Sequence, residues 1–91
     1  MKLYRIMQRG WTTPYFGTPA EIRAGYIHLC FRHQVPLMKT VYQEGEVVVI
    51  EPKTIRGTVY LAYSDKYHDI FPRLEGCIYA RDILDSWPFG K

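Results

Sequence analysis

An uninterrupted apolar run, Val47-Val48-Val49-Ile50, constrains the fold of this chain most strongly. Successive side chains of a β-strand point to opposite faces of a sheet, so this run is apolar on both faces and predicts a buried, central strand. Pro52 follows closely, and because proline has no N–H to donate, strand pairing is expected to end there. The other elements are therefore expected to be arranged around residues 47–50.

Length and composition limit the chain to one domain. Its 91 residues, 47% hydrophobic and 15% aromatic, can bury a single compact core. No repeat, low-complexity tract or linker divides the sequence. We therefore predict one domain over residues 1–91.

Period-two alternation predicts the remaining strands. In the first of them, Leu3, Arg5 and Met7 share one face, and Tyr4 and Ile6 share the other. The predicted strands, including the central one, cover residues 3–8, 26–31, 47–50, 58–63, 77–80 and 84–89.

Helix signals lie between these strands. Thr18 is a candidate N-cap before Pro19, which predicts a short helix over residues 18–23. Residues 33–44 carry apolar side chains at helical spacing and predict the main helix. We expect Gly45, which follows them, to form a left-handed C-cap.

The segment 64–76 is polar and contains Pro72 and Gly76, which predicts a long surface loop of the kind that often serves a site. A single helical turn is expected near residues 81–83. Together these elements predict a small α+β domain with a mixed sheet of short strands and one main helix.

Arg5 and Arg9 interrupt the first apolar stretch before it reaches the length of a signal peptide or a membrane-spanning helix. Two cysteines, Cys30 and Cys77, in a domain this hydrophobic are more typical of small buried residues than of a disulfide scaffold, so we expect both to be reduced. These features predict a soluble cytoplasmic protein that does not bind membranes.

The formal net charge of +3 is well short of the basic surface of a dedicated nucleic-acid-binding protein, so nucleic acid is not the expected partner. The charge is distributed unevenly, because residues 1–43 contain six basic side chains and a single acid, Glu21. An anionic ligand is therefore expected to meet the N-terminal half.

Arg5, in the middle of a strand, needs a carboxylate partner, a path to solvent or a ligand. One interpretation pairs it with Glu75 or an aspartate of the chain. The other makes it a clamp for a phosphate or carboxylate ligand, which matches the forked donors of a guanidinium group.

His28 shares a strand face with Tyr26 and Cys30, and the opposite face of that strand is core. It is either a hydrogen-bonded structural residue or a group that orients a ligand or acts as a general base. A zinc site with Cys30 and His33 is not predicted, because zinc motifs place their first ligand pair on a tight turn. A nucleophilic Cys30 with His28 as its base is a further alternative.

The predicted loop supplies candidate carboxylates, Asp65, Asp69 and Glu75, which otherwise form a solvated face. Five aromatic side chains are candidates for stacking on a base or a nicotinamide ring, although core packing explains them equally well. These aromatic residues are Trp11, Tyr60, Tyr63, Tyr67 and Tyr79.

Two blocks of sequence are specific in combination. Residues 25–30 read Gly-Tyr-Ile-His-Leu-Cys, with Gln34-Val35 downstream, and residues 71–76 read Phe-Pro-Arg-Leu-Glu-Gly. Together with Leu3-Tyr4-Arg5-Ile6, Trp11 and the apolar run before Pro52, their order and spacing cover nearly the whole chain. On these residues the chain resembles the domain-of-unknown-function 952 family.

That resemblance implies a fold like that of the ADP-ribosyltransferases, a split sheet whose cleft holds NAD in the active relatives. It implies that Arg5 meets the nicotinamide ribose, that Tyr63 stacks near the nicotinamide, and that a loop carboxylate, Asp65 or Glu75, is catalytic. The ligand-binding residues predicted for this cleft are Arg5, Tyr26, His28, Cys30, Tyr63, Phe71 and Arg73.

The chain departs from the family pattern at several of these positions. Arg5 stands where the family commonly has His, and Tyr63-Ser64 stands where it often has Trp-Glu. Arg73 and Glu75 replace a His and a Tyr, and Cys30 replaces the usual Ser. Such a set of changes fits either an altered choice of ligand or a lost activity.

Three functions follow from these observations. The first is a module that binds a nucleotide or another small anionic ligand without turnover, which the missing Glu after Tyr63 favours. The second is an enzyme of ADP-ribosyl transfer or NAD cleavage that uses Arg5, His28 and a loop carboxylate. The third is an interaction or inhibitor protein whose contacts are Arg73, Glu75 and exposed tyrosines.

Overall fold

The computed structural model describes residues 1–90. It contains six strands, two α-helices and two short 3-10 turns, at Arg32–Gln34 and Ala80–Asp82. The strands are β1 (Leu3–Met7), β2 (Ile27–His28), β3 (Gly45–Ile50), β4 (Gly57–Ser64), β5 (Asp69–Gly76) and β6 (Ile83–Phe89), and the helices are α1 (Pro19–Ala24) and α2 (Val35–Tyr42).

The strands form two three-stranded sheets, in the orders β1-β3-β6 and β2-β5-β4. Strand β3 is central in the first sheet, as its apolar run predicted. After α2 the chain returns to the C-terminal end of β1, where Glu46 lies opposite Met7. Strand β3 therefore runs antiparallel to β1. The predicted mixed sheet thus takes the form of two sheets in which every strand pair is antiparallel. The α+β class with one main helix is confirmed.

Two apolar clusters pack on the opposite faces of β3. Val48 and Ile50 belong to the cluster that also contains Leu74 of β5, so this cluster joins the two sheets. Val47 and Val49 belong to a second cluster with Val35 of α2. The strand is therefore buried on both sides, as a continuous apolar run requires.

A direct backbone contact joins the edges of the two sheets. The N–H of Tyr4 in β1 donates to the carbonyl of Cys30 at 2.8 Å, and the N–H of Cys30 donates to the carbonyl of Tyr4 at 2.7 Å. Because Cys30 lies just beyond β2, this exchange holds the middle of β1 beside the end of β2. It thereby brings Arg5 close to His28.

The predicted surface loop over residues 64–76 is wrong, because most of it is strand β5 at the centre of the second sheet. Pro72 was taken as a breaker, yet its ring is fully buried and its carbonyl accepts the N–H of Leu29 at 3.0 Å. Strand β2 ends at His28, so Leu29, which faces Pro72, lies one residue beyond the end of that strand. The N–H that Pro72 lacks therefore falls where the ladder with β2 stops, so the proline costs the sheet no paired donor.

Helix α1 begins as predicted, but the main helix is shorter than the predicted 33–44 and covers only Val35–Tyr42. Thr18 caps α1, and the short 3-10 turn precedes α2. The left-handed C-cap expected at Gly45 is wrong, because Gln43 ends α2 with a φ of 65°. Gly45 instead opens β3, where an added Cβ would lie 2.5 Å from the carbonyl oxygen of Met7, so the close approach of β1 requires glycine there.

No helix among residues 1–90 is long and apolar enough to cross a membrane.

Leu74 tests whether the contact between the sheets determines stability. It is 0% exposed, whereas Leu61 on the neighbouring β4 is 61% exposed. We expect Leu74→Ala to lower the free energy of unfolding by about 2–5 kcal/mol through lost burial and a residual cavity. Leu61→Ala, the matched control, should change it by less than about 0.5 kcal/mol. Urea denaturation of both variants measures the difference, and equal effects would contradict the assigned core.

Candidate functional site

A buried ion pair between Arg5 and Glu21 forms the centre of the candidate site. Arg5 is only 7% exposed, and its Nη2 donates to Glu21 Oε1 at 2.6 Å while its Nη1 donates to Oε2 at 2.9 Å. Nη1 also donates to the carbonyl of His28 at 2.6 Å, and Nη2 donates to the hydroxyl of Tyr15 at 2.6 Å. Four hydrogen bonds thus occupy the terminal nitrogens of the guanidinium group.

Local sequence places Glu21 where Arg5 can reach it. Thr18 and Glu21 form a capping box, in which the Thr18 hydroxyl accepts the N–H of Glu21 and Glu21 Oε1 accepts the N–H of Thr18 at 3.0 Å. Glu21 Oε2 also accepts the backbone N–H of His28 at 2.7 Å. One carboxylate therefore connects α1 to both β1 and β2.

The surroundings of the pair stabilise its charged form. Burial alone would raise the pKa of Glu21, but hydrogen bonds from His28 and Arg5 and the charge of Arg5 hold it well below its ordinary value. Burial would lower the pKa of Arg5, and the hydrogen bond and charge of Glu21 outweigh it, so that pKa is raised. Both groups are therefore ionised at neutral pH.

The carboxylate partner of Arg5 differs from the one expected. The prediction that Arg5 pairs with Glu75 or an aspartate is wrong, because Glu21 is closer in the fold and already fixed by the capping box. In the sequence, Thr18-x-x-Glu21 is the pattern of a capping box and Glu21 is the single acid of residues 1–43, but neither feature shows that its carboxylate meets Arg5. Arg5 as a ligand clamp stays a prediction, but its terminal nitrogens already have protein partners.

A cleft of about 580 Å³ opens beside the ion pair. All its lining residues lie between positions 5 and 42, and they include Arg9, Trp11 and Tyr15. The indole N–H of Trp11 donates to Glu46 Oε2 at 2.8 Å, which fixes the ring at the wall of the cleft. Glu21 is the only carboxylate that lines the cleft in the described part of the chain.

His28 lies at the boundary between this cleft and a second, smaller cavity, and Tyr42 lines both as well. Its Nδ1 is 3.1 Å from Glu21 Oε2, and its side chain is 56% exposed. With Nδ1 facing the carboxylate, Nε2 is the nitrogen left to meet a ligand. Burial raises the pKa of Tyr42, with the charge of Arg5 opposing it and that of Glu21 adding to it.

Tyr26, His28 and Arg73 form one stack of side chains on the second sheet. The rings of Tyr26 and His28 meet edge to face with their centroids 4.9 Å apart. The guanidinium carbon of Arg73 lies 4.2 Å from the centre of the Tyr26 ring, and Arg73 is the register partner of His28. The structure therefore brings together three of the predicted ligand-binding residues, and Phe71 lines the same small cavity as His28 and Arg73.

Other predicted site residues lie elsewhere. Asp65 is exposed in the turn after β4, Glu75 is exposed near the end of β5, and neither lines the cleft or the smaller cavity. Tyr63 is exposed on the opposite face of β4 from Ala62, which does line the smaller cavity. The two carboxylates were grouped with the site because residues 64–76 were expected to be a loop that could reach it, and Tyr63 because the family resemblance implied a stacking aromatic residue.

Cys30 is buried in the cluster beneath α2, away from solvent. Burial raises the pKa of its thiol to about 12, although the charge of Arg5 acts in the opposite direction. A thiolate nucleophile at this position is therefore not supported. Within residues 1–90, no group of three or more His, Cys, Asp or Glu side chains is arranged to hold a metal ion.

Sequence reasoning missed several residues of the site. Tyr15, Arg9 and Tyr42 line the cleft, and Lys66 lines the smaller cavity. Arg9 and Lys66 carried no local pattern that separated them from other surface cations. Gln34 was noted only as part of a motif, but it is buried and donates to both Asp69 Oδ2 at 3.0 Å and the carbonyl of Ile70 at 2.8 Å. It therefore anchors the start of β5.

Comparisons with known proteins show similarity in fold. Two solved structures of protein CC0527 from Caulobacter crescentus, one of them a double mutant, match this chain with a TM-score of 0.80 and 16% sequence identity. The match covers 97% of this chain and 85% of theirs. At this identity the similarity shows a shared fold alone. No protein-family model and no curated protein match the chain.

The ion pair predicts a specific response to acid. Because the pKa of Glu21 is lower in the fold than in the unfolded chain, its charge stabilises the protein above the ordinary glutamate value, about 4.3. That contribution is lost as the pH falls below this value. Glu21→Gln should lower the free energy of unfolding at neutral pH by about 3–5 kcal/mol, because Arg5 is left buried without its partner.

Urea denaturation at a series of pH values tests this, with Glu75→Gln as the exposed control, expected within about 0.5 kcal/mol of the wild type. If Glu21→Gln does not fold, the carboxyl carbon of Glu21 in the wild-type protein can be titrated by NMR. A midpoint at or above the ordinary glutamate value would contradict the ion pair.

The two cysteines should differ in reactivity. Cys30 is 2% exposed with a raised pKa, whereas Cys77 is only partly buried. We expect a thiol reagent to label one cysteine per native molecule quickly and both after unfolding. Mass spectrometry of the labelled peptides identifies the site, and fast labelling of Cys30 in the native protein would contradict its burial.

Proposed function

We propose that this protein is a small binding module that takes a nucleotide or a similar anionic, ring-containing ligand into the cleft beside Arg5 and Glu21. The observation that carries the proposal is that the residues lining the cleft all come from the basic N-terminal half of the described chain. At about 580 Å³ the cleft is within the usual size range of small-molecule sites, about 300–1,000 Å³.

The charge of the cleft favours an anion. Arg5 and Glu21 neutralise each other, so among residues 1–90 Arg9 supplies the remaining permanent charge of the lining. Since cleft walls concentrate the field of such groups, a phosphate ester is attracted more strongly than a neutral molecule of the same shape.

The aromatic side chains suit a ligand that contains a ring. Trp11, Tyr15 and Tyr42 line the cleft. The hydrogen bond to Glu46 holds Trp11, and the hydrogen bond from Arg5 holds Tyr15, so these two rings are positioned before a ligand arrives. Aromatic surfaces that are already ordered lose little conformational entropy when a base stacks on them.

Binding is favoured over ADP-ribosyl transfer by the positions of the carboxylates. Asp65 and Glu75 lie outside the cleft, and the carboxylate inside it, Glu21, is paired with Arg5. Transfer from NAD needs a carboxylate that can stabilise positive charge on the ribose, and a carboxylate already neutralised by Arg5 is poorly suited to that role.

We also propose that the chain is a member of the domain-of-unknown-function 952 family, which its sequence resembles. The two sequence blocks that carry the resemblance, residues 25–30 and 71–76, lie side by side. Ile27 pairs with Leu74 and His28 pairs with Arg73. The blocks thus form one structural unit at the edge of the site, which supports reading them as a single motif.

Calorimetric titration with ADP-ribose at neutral pH and low ionic strength tests the proposal. We expect saturable binding that weakens with added salt, and that Arg9→Ala reduces by about tenfold, the effect of removing one charge-assisted contact. Arg23→Ala is the matched control, because Arg23 is exposed on α1 and does not line the cleft.

Two results would contradict the binding module. Equal affinities for the wild type, Arg9→Ala and Arg23→Ala would place any binding outside the cleft. Release of nicotinamide from NAD, lost in His28→Ala, would instead support the enzyme.

A further inference from the structure

The smaller cavity differs in character from the cleft. It encloses about 260 Å³ between α2 and the face of the second sheet that carries Phe71 and Arg73. Its apolar wall includes Leu29 and Phe71, both buried, and Met38 of α2. The space exists because Ala62 is the register partner of Phe71, so a small side chain stands opposite a large one.

The charged groups of this cavity are all cations. Lys66 and Arg73 line it, and within residues 1–90 neither forms an ion pair and no carboxylate lines the cavity. Asp69, which lies on β5 with Arg73, accepts a hydrogen bond from Gln34 and faces His33. The cavity therefore has an excess of positive charge that the protein itself does not neutralise.

Both cations rest on aromatic rings. Arg73 lies over Tyr26 at 4.2 Å, and the Lys66 ammonium nitrogen lies 5.3 Å from the centre of the Tyr67 ring. Such contacts hold a cation in place but leave its N–H donors free for an anion. The arrangement positions two donors at the rim of an apolar pocket before any ligand is present.

We propose that this cavity binds a small aromatic carboxylate, with the ring against Phe71 and Met38 and the carboxylate on Arg73 and Lys66. The volume is below the usual range for drug-sized ligands and suits a single ring. The forked donors of Arg73 match a carboxylate. An inorganic anion would contact the two cations but would make no apolar contact with Phe71 and Met38. The cavity borders the cleft at His28 and Tyr42, but the apolar wall and the two cations that carry this proposal do not line the cleft, so it does not depend on the proposed nucleotide site.

Benzoate is the probe, and benzamide is its neutral counterpart of the same shape. We expect benzoate to shift the backbone amide NMR signals of residues around Phe71 and Arg73 saturably, and benzamide to bind about tenfold more weakly. Arg73→Gln should weaken benzoate binding by about tenfold, and Arg56→Gln, an exposed cation outside the cavity, should not. Ala62→Leu should fill the cavity and abolish saturation, and the melting temperature confirms that this variant folds.

Equal affinities for benzoate and benzamide would overturn the proposal, as would undiminished binding to both Arg73→Gln and Ala62→Leu. Inorganic phosphate that competes with benzoate and binds Ala62→Leu normally would show an anion site alone and would also overturn it. Arg9→Ala separates this site from the cleft, because it should weaken ADP-ribose and leave benzoate unaffected. Loss of benzoate binding in Arg9→Ala would place benzoate in the cleft.

Discussion

The buried contact between Arg5 and Glu21 is the interaction on which the rest of the site depends. Transferring two charges out of water is expensive, and the cost is offset here by good geometry and by extra hydrogen bonds. The carboxylate accepts from Arg5, from the backbone of Thr18 and from His28, while Arg5 donates to Tyr15 and to the His28 carbonyl. One ion pair thus fixes β1, α1, the loop before α1 and β2 relative to one another.

That arrangement explains why two cavities lie side by side. The backbone exchange between Tyr4 and Cys30 joins the edges of the sheets, and Arg5, the residue after Tyr4, donates to the carbonyl of His28 while it is paired with Glu21. His28 and Tyr42 remain as the boundary between the cleft and the smaller cavity. Glu21, whose Oε2 lies 3.1 Å from His28 Nδ1, is therefore next to that boundary.

Local patterns predicted much of the fold. The apolar run at residues 47–50 is buried on both faces, and Thr18 caps α1 as its sequence pattern predicted. Such features depend on neighbours in sequence, so they can be read without a structure. Strand β5 was missed because Pro72 is a breaker by local rules, and only the early end of β2 removes the penalty. The partner of Arg5 was missed for a related reason, since it lies sixteen residues away along the chain and only folding shows which carboxylate reaches it.

By itself the sequence determined the class of the fold, the central strand, the basic character of the N-terminal half and the candidate residues Arg5 and His28. Those properties follow from composition and from the period of the side chains, which are local quantities. The tertiary structure alone decided that Glu21 neutralises Arg5, that Asp65 and Glu75 lie outside the cleft, and that Ala62 opposite Phe71 leaves a cavity. These outcomes depend on strand register and on packing between distant segments, and no local pattern of side chains specifies either.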